Sequence, residues 1–146
     1  EQALSLYDGL FPRVRIEKRL APDLPRIRLD PVQMKRALIN LVDNALRAVG
    51  DRGADGLVTV STRYLKEDGV VAVSVADNGA GIHGDYLDRI FDPYFSLTEG
   101  GIGLGLAISQ RIAEEHGGTL TYASGPDGGA VFTVRLPVDV DPVRRN

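Results

Sequence analysis

Two short glycine-rich stretches, residues 77–82 and 101–105, place the strongest constraint on how this chain can fold. The first reads Asp-Asn-Gly-Ala-Gly-Ile and the second reads Gly-Ile-Gly-Leu-Gly. Because glycine has no Cβ, it is favoured where the backbone must approach another group closely. An acidic residue, Asp77, opens the first stretch, and a helical pattern follows the second. We interpret the two stretches as the ends of a ligand pocket, and the aperiodic segment 91–102 as a mobile flap over it.

Residues 31–49 form the clearest predicted helix. Apolar side chains recur along one face at Met34, Ala37, Leu38, Leu41, Val42, Ala45 and Leu46. Asp30 followed by Pro31 resembles an N-cap with proline in the first turn. The opposite face carries Asn40 and Asn44, which lie one helical turn apart. Since asparagine is a mediocre helix former, these residues are either part of a solvated face or a pair of amide oxygens directed at a cation or ligand.

Alternating or β-branched segments predict strands at residues 14–20, 57–65, 71–77, 119–123 and 131–136. Residues 67–69 predict a hairpin turn between the second and third of these strands. Two further helices are predicted at residues 85–90 and 104–116, the latter ended by Gly117 and Gly118. This element order predicts a two-layer α/β (α+β) sandwich, with a mixed, mostly antiparallel sheet of about five strands and about three helices on one face. The other face is left to solvent or to a partner domain.

Length and composition indicate one globular domain, because 146 residues are enough for a hydrophobic core. The chain has no cysteine, which excludes disulfides, thiolate metal sites and cysteine nucleophiles and permits a reducing compartment. A formal net charge of −3 disfavours general nucleic-acid binding. No apolar run approaches the roughly 20 residues of a membrane span, and no signal peptide opens the chain. Since the chain begins mid-pattern without Met, we expect an excised domain, with a lead-in at 1–12, the domain itself at 13–137 and a tail at 138–146.

Four short motifs follow one another along the chain at residues 40–45, 77–81, 91–95 and 101–106. They read Asn-Leu-Val-Asp-Asn-Ala, Asp-Asn-Gly-Ala-Gly, Phe-Asp-Pro-Tyr-Phe and Gly-Ile-Gly-Leu-Gly-Leu. In this order they resemble the N box, first glycine box, F box and second glycine box of the catalytic ATP-binding domain of bacterial sensor histidine kinases. That domain has the Bergerat fold and belongs to a superfamily that also includes gyrase and Hsp90. The resemblance covers the chain from about residue 13 to 137, and its F box with a short lid leans toward the nitrogen-regulation type.

The resemblance implies a cofactor site for ATP or ADP with Mg²⁺. Its binding residues would be Asn44, Asp77, Gly79, Gly81, Ile82, Phe91, Gly101, Gly103, Leu104 and Gly105. Asp77 would accept a hydrogen bond from the exocyclic amine of adenine, and this selects adenine because guanine carries an oxygen there. Residues 92–102 would form the ATP lid, with Phe91 and Phe95 packing its base. The second glycine box would open a helix whose free N–H groups hold phosphate oxygens.

Three residues of the predicted helix 31–49 would supply the catalytic groups implied by the resemblance. Asn44 would bind Mg²⁺ through its amide oxygen, a hard ligand for a hard ion. Asn40 would support that metal or bind one of its waters, and Arg47 would offset phosphate charge. In the related ATPases and serine kinases the position of Asn40 holds a glutamate that acts as a base, which an amide cannot do at neutral pH. Asp43 is a reserve candidate for such a base.

The resemblance therefore implies a protein-histidine kinase domain that passes the γ-phosphoryl to a histidine on an upstream dimerisation domain. His83 and His116 lack the setting of such an acceptor, so the acceptor histidine lies outside this chain. The phosphoryl group would then reach an aspartate of a response regulator. We expect the isolated domain to be a cytoplasmic monomer that does not bind nucleic acid, and the parent, membrane-anchored or not, to be a homodimer.

Three positions depart from the family pattern. The lid has no basic residue near Thr98, Ile102 replaces a common threonine before Gly103, and Ala130 replaces a common threonine in the last strand. These departures leave open a pseudokinase that binds nucleotide as a switch or docking module. A separate alternative is an ATPase or serine kinase of the same superfamily.

Overall fold

A computed structural model describes residues 14–50, 55–93, 95, 105–126 and 128–138. The strands are β1 (Arg15–Arg19), β2 (Leu57–Leu65), β3 (Val70–Asp77), β4 (Thr119–Ser124) and β5 (Ala130–Pro137). They form one sheet in the order β1-β2-β3-β5-β4, in which β1 runs parallel to β2 and every other pair is antiparallel. Each predicted strand is confirmed, with ends that differ by at most one residue. The predicted fold class is therefore correct, whereas the lead-in at 1–12 and the tail beyond Val138 lie outside the described residues.

Helix α1 (Pro31–Ala48) begins where the sequence predicts it. The Oδ1 atom of Asp30 accepts hydrogen bonds from the N–H groups of Val32 and Gln33, at 3.0 and 3.2 Å. These bonds satisfy two of the N–H groups that the first turn of any helix leaves without a helical acceptor. The predicted apolar face is buried except for Leu38, which is half-buried against the core.

Helix α2 (Gly105–Glu115) ends in a Schellman motif. The N–H of Gly118 donates to the carbonyl of Ala113 at 2.8 Å, and the N–H of Gly117 donates to the carbonyl of Glu114 at 2.9 Å. These bonds satisfy carbonyls that the last turn of a helix leaves free. The predicted end of this helix is confirmed, and its predicted first residue, Leu104, lies outside the described part of the chain.

The core lies between the two helices and one face of the sheet. Its fully buried larger side chains are Leu41, Leu46, Val42, Val49, Val58, Val71, Val75, Phe132, Val134 and Leu136. Within it, the Ser109 hydroxyl of α2 donates to the Ala37 carbonyl of α1 at 3.0 Å. The opposite face of the sheet is more polar, with the hydroxyls of Ser74 and Thr133 paired at 2.9 Å. Alternate residues of a strand point to opposite faces, so Val75 and Phe132 face the core while Ser74 and Thr133 face away from it.

The helix predicted at residues 85–90 is wrong. The chain forms only a 3₁₀ turn at Gly84–Tyr86, followed by turns with hydrogen bonds to the third preceding residue, such as Arg89 N–H to Tyr86 O at 2.9 Å. The segment is exposed apart from Ile90, so a helix here would bury too little apolar surface to offset its nucleation cost. The described residues therefore contain two α-helices. Neither is long and apolar enough to cross a membrane.

The N-cap of α1 gives a direct test of this architecture. We expect Asp30→Ala to lower the free energy of unfolding by about 1 kcal/mol, because it removes the acceptor for two N–H groups. Asp30→Asn is the matched control, since its amide oxygen can still accept both bonds and should leave stability nearly unchanged. Urea unfolding of the three proteins measures the difference. Equal midpoints for the Ala and Asn variants would contradict the capping role.

Candidate functional site

Asp77 is the last residue of β3 and is 8% exposed. Its Oδ1 atom accepts hydrogen bonds from the N–H of Gly79 at 2.9 Å and from the N–H of Ala130 at 3.4 Å. Both bonds thus go to one carboxylate oxygen. The other oxygen, Oδ2, receives no hydrogen bond from any described residue, yet it is not sealed in the interior as an unsatisfied atom. Asp77 therefore offers a free acceptor at the end of its strand.

Burial shifts the ionisation of this carboxyl group. Removal from water raises the pKa of Asp77 above its ordinary value of 3.8, because the charged form is poorly solvated there. The N–H groups of Gly79 and Ala130 favour the charged form and oppose part of this rise. In a buried carboxylate of this kind, one oxygen is hydrogen-bonded within the protein and the other oxygen remains available. Such a carboxylate is typical of a binding residue rather than a structural one.

The backbone around Asp77 is packed so closely that two neighbouring positions admit only glycine. A Cβ on Gly79 would lie 2.6 Å from the carbonyl oxygen of Ala48, at the end of α1. Gly81 has a φ of 79°, and a Cβ there would overlap the carbonyl oxygen of Gly128 in the β4–β5 turn. The first glycine box therefore touches both α1 and the last hairpin, which explains the glycines at these positions.

Sequence reasoning assigns no role to Asn78, which the structure places as a tie for this loop. Its Oδ1 accepts from the Leu57 N–H at 2.9 Å, its Nδ2 donates to the Asp55 carbonyl at 2.7 Å, and its own N–H donates to the Leu57 carbonyl at 3.2 Å. These bonds join the end of β3 to the start of β2 and thereby hold Asp77 in place. The residue lies inside the first glycine box, but its hydrogen-bond partners, Asp55 and Leu57, are distant from it in sequence.

The side chains predicted on α1 lie on one side of that helix. Asn40 and Asn44 are half-buried, and neither side chain is hydrogen-bonded to another described residue. Arg47 is exposed in the last turn. Gly105, the first residue of α2, faces Asn40 so closely that a Cβ on it would lie 3.7 Å from the Asn40 Cβ. The fold thus brings the N box beside the helix that follows the second glycine box.

The aromatic residues of the F box pack against protein. Phe91 meets Phe132 of the core edge to face, with ring centroids 6.3 Å apart. Phe95 lies 5.8 Å from Tyr86 and carries the Arg89 guanidinium 4.6 Å above its ring.

Ile82 is half-buried against the core, and its N–H donates to the Tyr122 hydroxyl at 3.4 Å. The predicted Gly101, Gly103 and Leu104 lie outside the described residues, as do Thr98 and Ile102. No three His, Cys, Asp or Glu side chains of the described chain are grouped as a metal site of those residues would require.

Residues 29–140 match the family described as histidine kinase-, DNA gyrase B- and HSP90-like ATPases. The chain belongs to this family. The match covers every described residue of the candidate site, which includes Asn40, Asn44, Asp77 and Gly105.

Curated relatives of the chain include sensor histidine kinases. The sensor histidine kinase ZraS of Klebsiella oxytoca is 48% identical over 118 residues, which cover 81% of this chain and 25% of ZraS. The C4-dicarboxylate transport sensor protein DctB of Rhizobium meliloti (strain 1021) is 39% identical over 132 residues, which cover 90% of this chain and 20% of DctB. This chain thus spans a fifth to a quarter of the length of these relatives.

Solved structures of histidine kinases have a fold similar to that of this chain. The nucleotide-free catalytic domain of histidine kinase ThkA superposes with a TM-score of 0.81 at 28% identity, over 93% of this chain and 88% of that one. Full-length ShkA in complex with AMPPNP superposes with a TM-score of 0.75 at 28% identity, over 97% of this chain and 31% of ShkA. The resemblance to the catalytic domain of sensor histidine kinases is confirmed, whereas the nitrogen-regulation type stays a prediction.

The raised pKa of Asp77 predicts how stability depends on pH. Because the folded pKa exceeds the unfolded one, the folded state holds more protons between the two values, and stability falls as pH rises through that interval. At neutral pH the ionised carboxylate therefore costs stability. We expect Asp77→Asn, which does not titrate, to gain stability relative to the native protein between acid and neutral pH.

Denaturant unfolding of both proteins across that pH range measures the gain. The control is Asp23→Asn, at an exposed loop residue, and it should show no such trend. A constant difference between the Asp77 variant and the native protein at every pH would contradict the assignment.

Proposed function

We propose that this domain binds ATP or ADP with Mg²⁺ and positions ATP for phosphoryl transfer. In the parent protein, the γ-phosphoryl passes to a histidine on a separate dimerisation domain and then to an aspartate of a response regulator. The observation that carries the proposal is the Asp77 carboxylate, which keeps Oδ2 free while Gly79 and Ala130 hold Oδ1. Membership of the family and the AMPPNP complex of ShkA support the same reading.

The free oxygen of Asp77 suits the recognition of adenine. Its Oδ2 would accept a hydrogen bond from the exocyclic amine, and a carboxylate bond to that amine is stronger than a neutral one. Guanine presents an oxygen at the equivalent position, which would face the carboxylate without a shared proton. Gly79 and Gly81, together with Ile82, would form the backbone beside the base.

The N-box residues suit the phosphate end of the nucleotide. Mg²⁺ keeps several waters and prefers oxygen ligands, often from phosphate itself. Asn44 supplies one amide oxygen on a rigid helix, and this fits an ion held mainly by phosphates and waters. When bound, the metal would neutralise phosphate charge. Asn40 would hold a water beside it, and Arg47 would add a further positive charge near the end of α1.

Position 40 holds an asparagine, which cannot act as a base. This favours phosphoryl transfer to a strong nucleophile over hydrolysis of ATP by water. Neither histidine of the chain is placed as the acceptor. The Nδ1 of His83 accepts from the Asp85 N–H at 3.2 Å, and both ring nitrogens of His116 are hydrogen-bonded to main chain. We therefore assign the acceptor to another domain of the parent. Such a domain would also dimerise the parent, leave this domain a monomer, and work in the cytoplasm with ATP and the regulator.

Calorimetric titration with ADP and with AMPPNP tests the base site. We expect binding in the micromolar range with a clear preference for ADP over GDP. Asp77→Asn should weaken ADP binding by about 1–3 kcal/mol, because an amide N–H₂ would then face the amine of adenine. The same variant should remain folded, which the unfolding experiment reports. Unchanged ADP affinity in Asp77→Asn would refute the assigned base contact.

The metal ligand needs a test of its own. We expect Asn44→Ala to weaken ADP binding several-fold in the presence of Mg²⁺ and to have little effect in EDTA, because Asn44 acts through the metal. Gln33→Ala, at the opposite end of α1, is the control and should match the native protein in both buffers. An equal loss with and without Mg²⁺ would assign Asn44 a structural role instead.

Phosphotransfer by the parent protein tests the reaction class. Labelled phosphate should appear on a histidine of the parent and be lost when Asn44 is changed. Tight nucleotide binding without transfer would favour a pseudokinase, for which the alanine at position 130 is the observed departure. Release of inorganic phosphate by this domain alone would favour an ATPase.

A further inference from the structure

Helices α1 and α2 lie side by side in opposite directions and touch at three levels. At one level Gly105 faces Asn40, beside the candidate site. At the second, Ser109 donates to the Ala37 carbonyl at 3.0 Å. At the third, His116 follows the end of α2 and meets Asp30, the N-cap of α1. The third contact lies about 20 Å along α1 from Asn44, because 14 residues of helix rise that far.

The ring of His116 is hydrogen-bonded on both sides. The main-chain N–H of Asp30 donates to His116 Nε2 at 2.9 Å, and His116 Nδ1 lies 2.7 Å from the carbonyl oxygen of Ile112. A main-chain N–H can only donate and a carbonyl can only accept. In this arrangement Nε2 accepts and Nδ1 carries the proton, which defines one tautomer of the ring.

This arrangement joins one end of α1 to one end of α2 through a side chain. The Asp30 side chain caps the first turn of α1, while its own N–H precedes the helix and has no helical acceptor. His116, which directly follows the end of α2, supplies that acceptor through its Nε2 atom. On its own helix, the same ring binds a carbonyl of the last turn. The contact therefore links the N-terminal end of α1 to the C-terminal end of α2.

The position of α1 relative to α2 affects the geometry of the candidate site. α1 carries Asn44, assigned above to Mg²⁺, and α2 begins directly after the second glycine box, assigned to phosphate. We propose that His116 is a positioning residue, which keeps these two halves of the Mg-nucleotide site in register through its bond to Asp30. The inference rests on the proposed function. It predicts that loss of the bond impairs metal-dependent nucleotide binding without contact to the ligand.

Two amide variants separate this role from a structural one. In His116→Gln, Oε1 reaches the position of Nε2 and can accept from Asp30 N–H. In His116→Asn, the shorter side chain reaches only the position of Nδ1 and cannot. The readout is the ratio of ADP affinity with Mg²⁺ to ADP affinity in EDTA. We expect the Gln variant to keep the native ratio and the Asn variant to lose up to about fivefold, since the effect cannot exceed the free energy of the one neutral hydrogen bond that is removed.

Several outcomes would overturn the inference. A native ratio in a folded Asn variant would show that the bond does not position the site. An equal loss in both variants would show that the ring matters only for packing. If native protein binds no adenine nucleotide at all, the proposed function fails and this inference fails with it. Normal native binding with an unchanged ratio in the Asn variant refutes this inference alone.

A spectroscopic measurement tests the bond even if His116→Asn does not fold. The chain has two histidines, so ¹⁵N-labelled histidine gives two imidazole patterns that single variants can assign. His116 should carry its proton on Nδ1. A proton on Nε2 of His116, or rapid exchange between its two tautomers, would overturn the inference.

Discussion

The close approach of three backbone segments around Asp77 is the contact on which the candidate site depends. The end of α1, the first glycine box and the β4–β5 turn meet there, and a side chain at position 79 or 81 would force them apart. This packing removes the carboxylate from water, which raises its pKa, while two N–H groups hold one of its oxygens. The site is therefore assembled from main chain, and a single acidic side chain supplies its specific chemistry.

The second requirement is the alignment of the two helices. α1 carries the amides assigned to the metal, and α2 follows the box assigned to phosphate, so the nucleotide would bridge two elements that lie far apart in sequence. Ser109 and His116 link these helices by side-chain bonds to main-chain groups. Such bonds depend on the relative position of whole helices. We propose that they thereby hold a defined spacing between the groups assigned to the ligand.

Local sequence patterns predicted the helices and strands well, because the interactions that start, end and orient them lie within a few residues. The N-cap at Asp30, the apolar face of α1 and the glycine-ended α2 follow from interactions within a few residues. The helix predicted at residues 85–90 failed because its formation depends on burial, and the packed structure gives that segment little to cover. The role of Asn78 was missed for a related reason. Its partners, Asp55 and Leu57, become neighbours only when β2 pairs with β3.

The sequence by itself determined the order of the motifs, the strands and helix ends, and the family to which the chain belongs. These depend on residue type and on spacing along the chain, and both are properties of the sequence alone. Only the tertiary structure decided that the Ala48 carbonyl faces Gly79, that one oxygen of Asp77 stays free, and that His116 reaches Asp30. Each of these contacts joins groups from different elements, and their distances are set by the packing of the sheet and helices together.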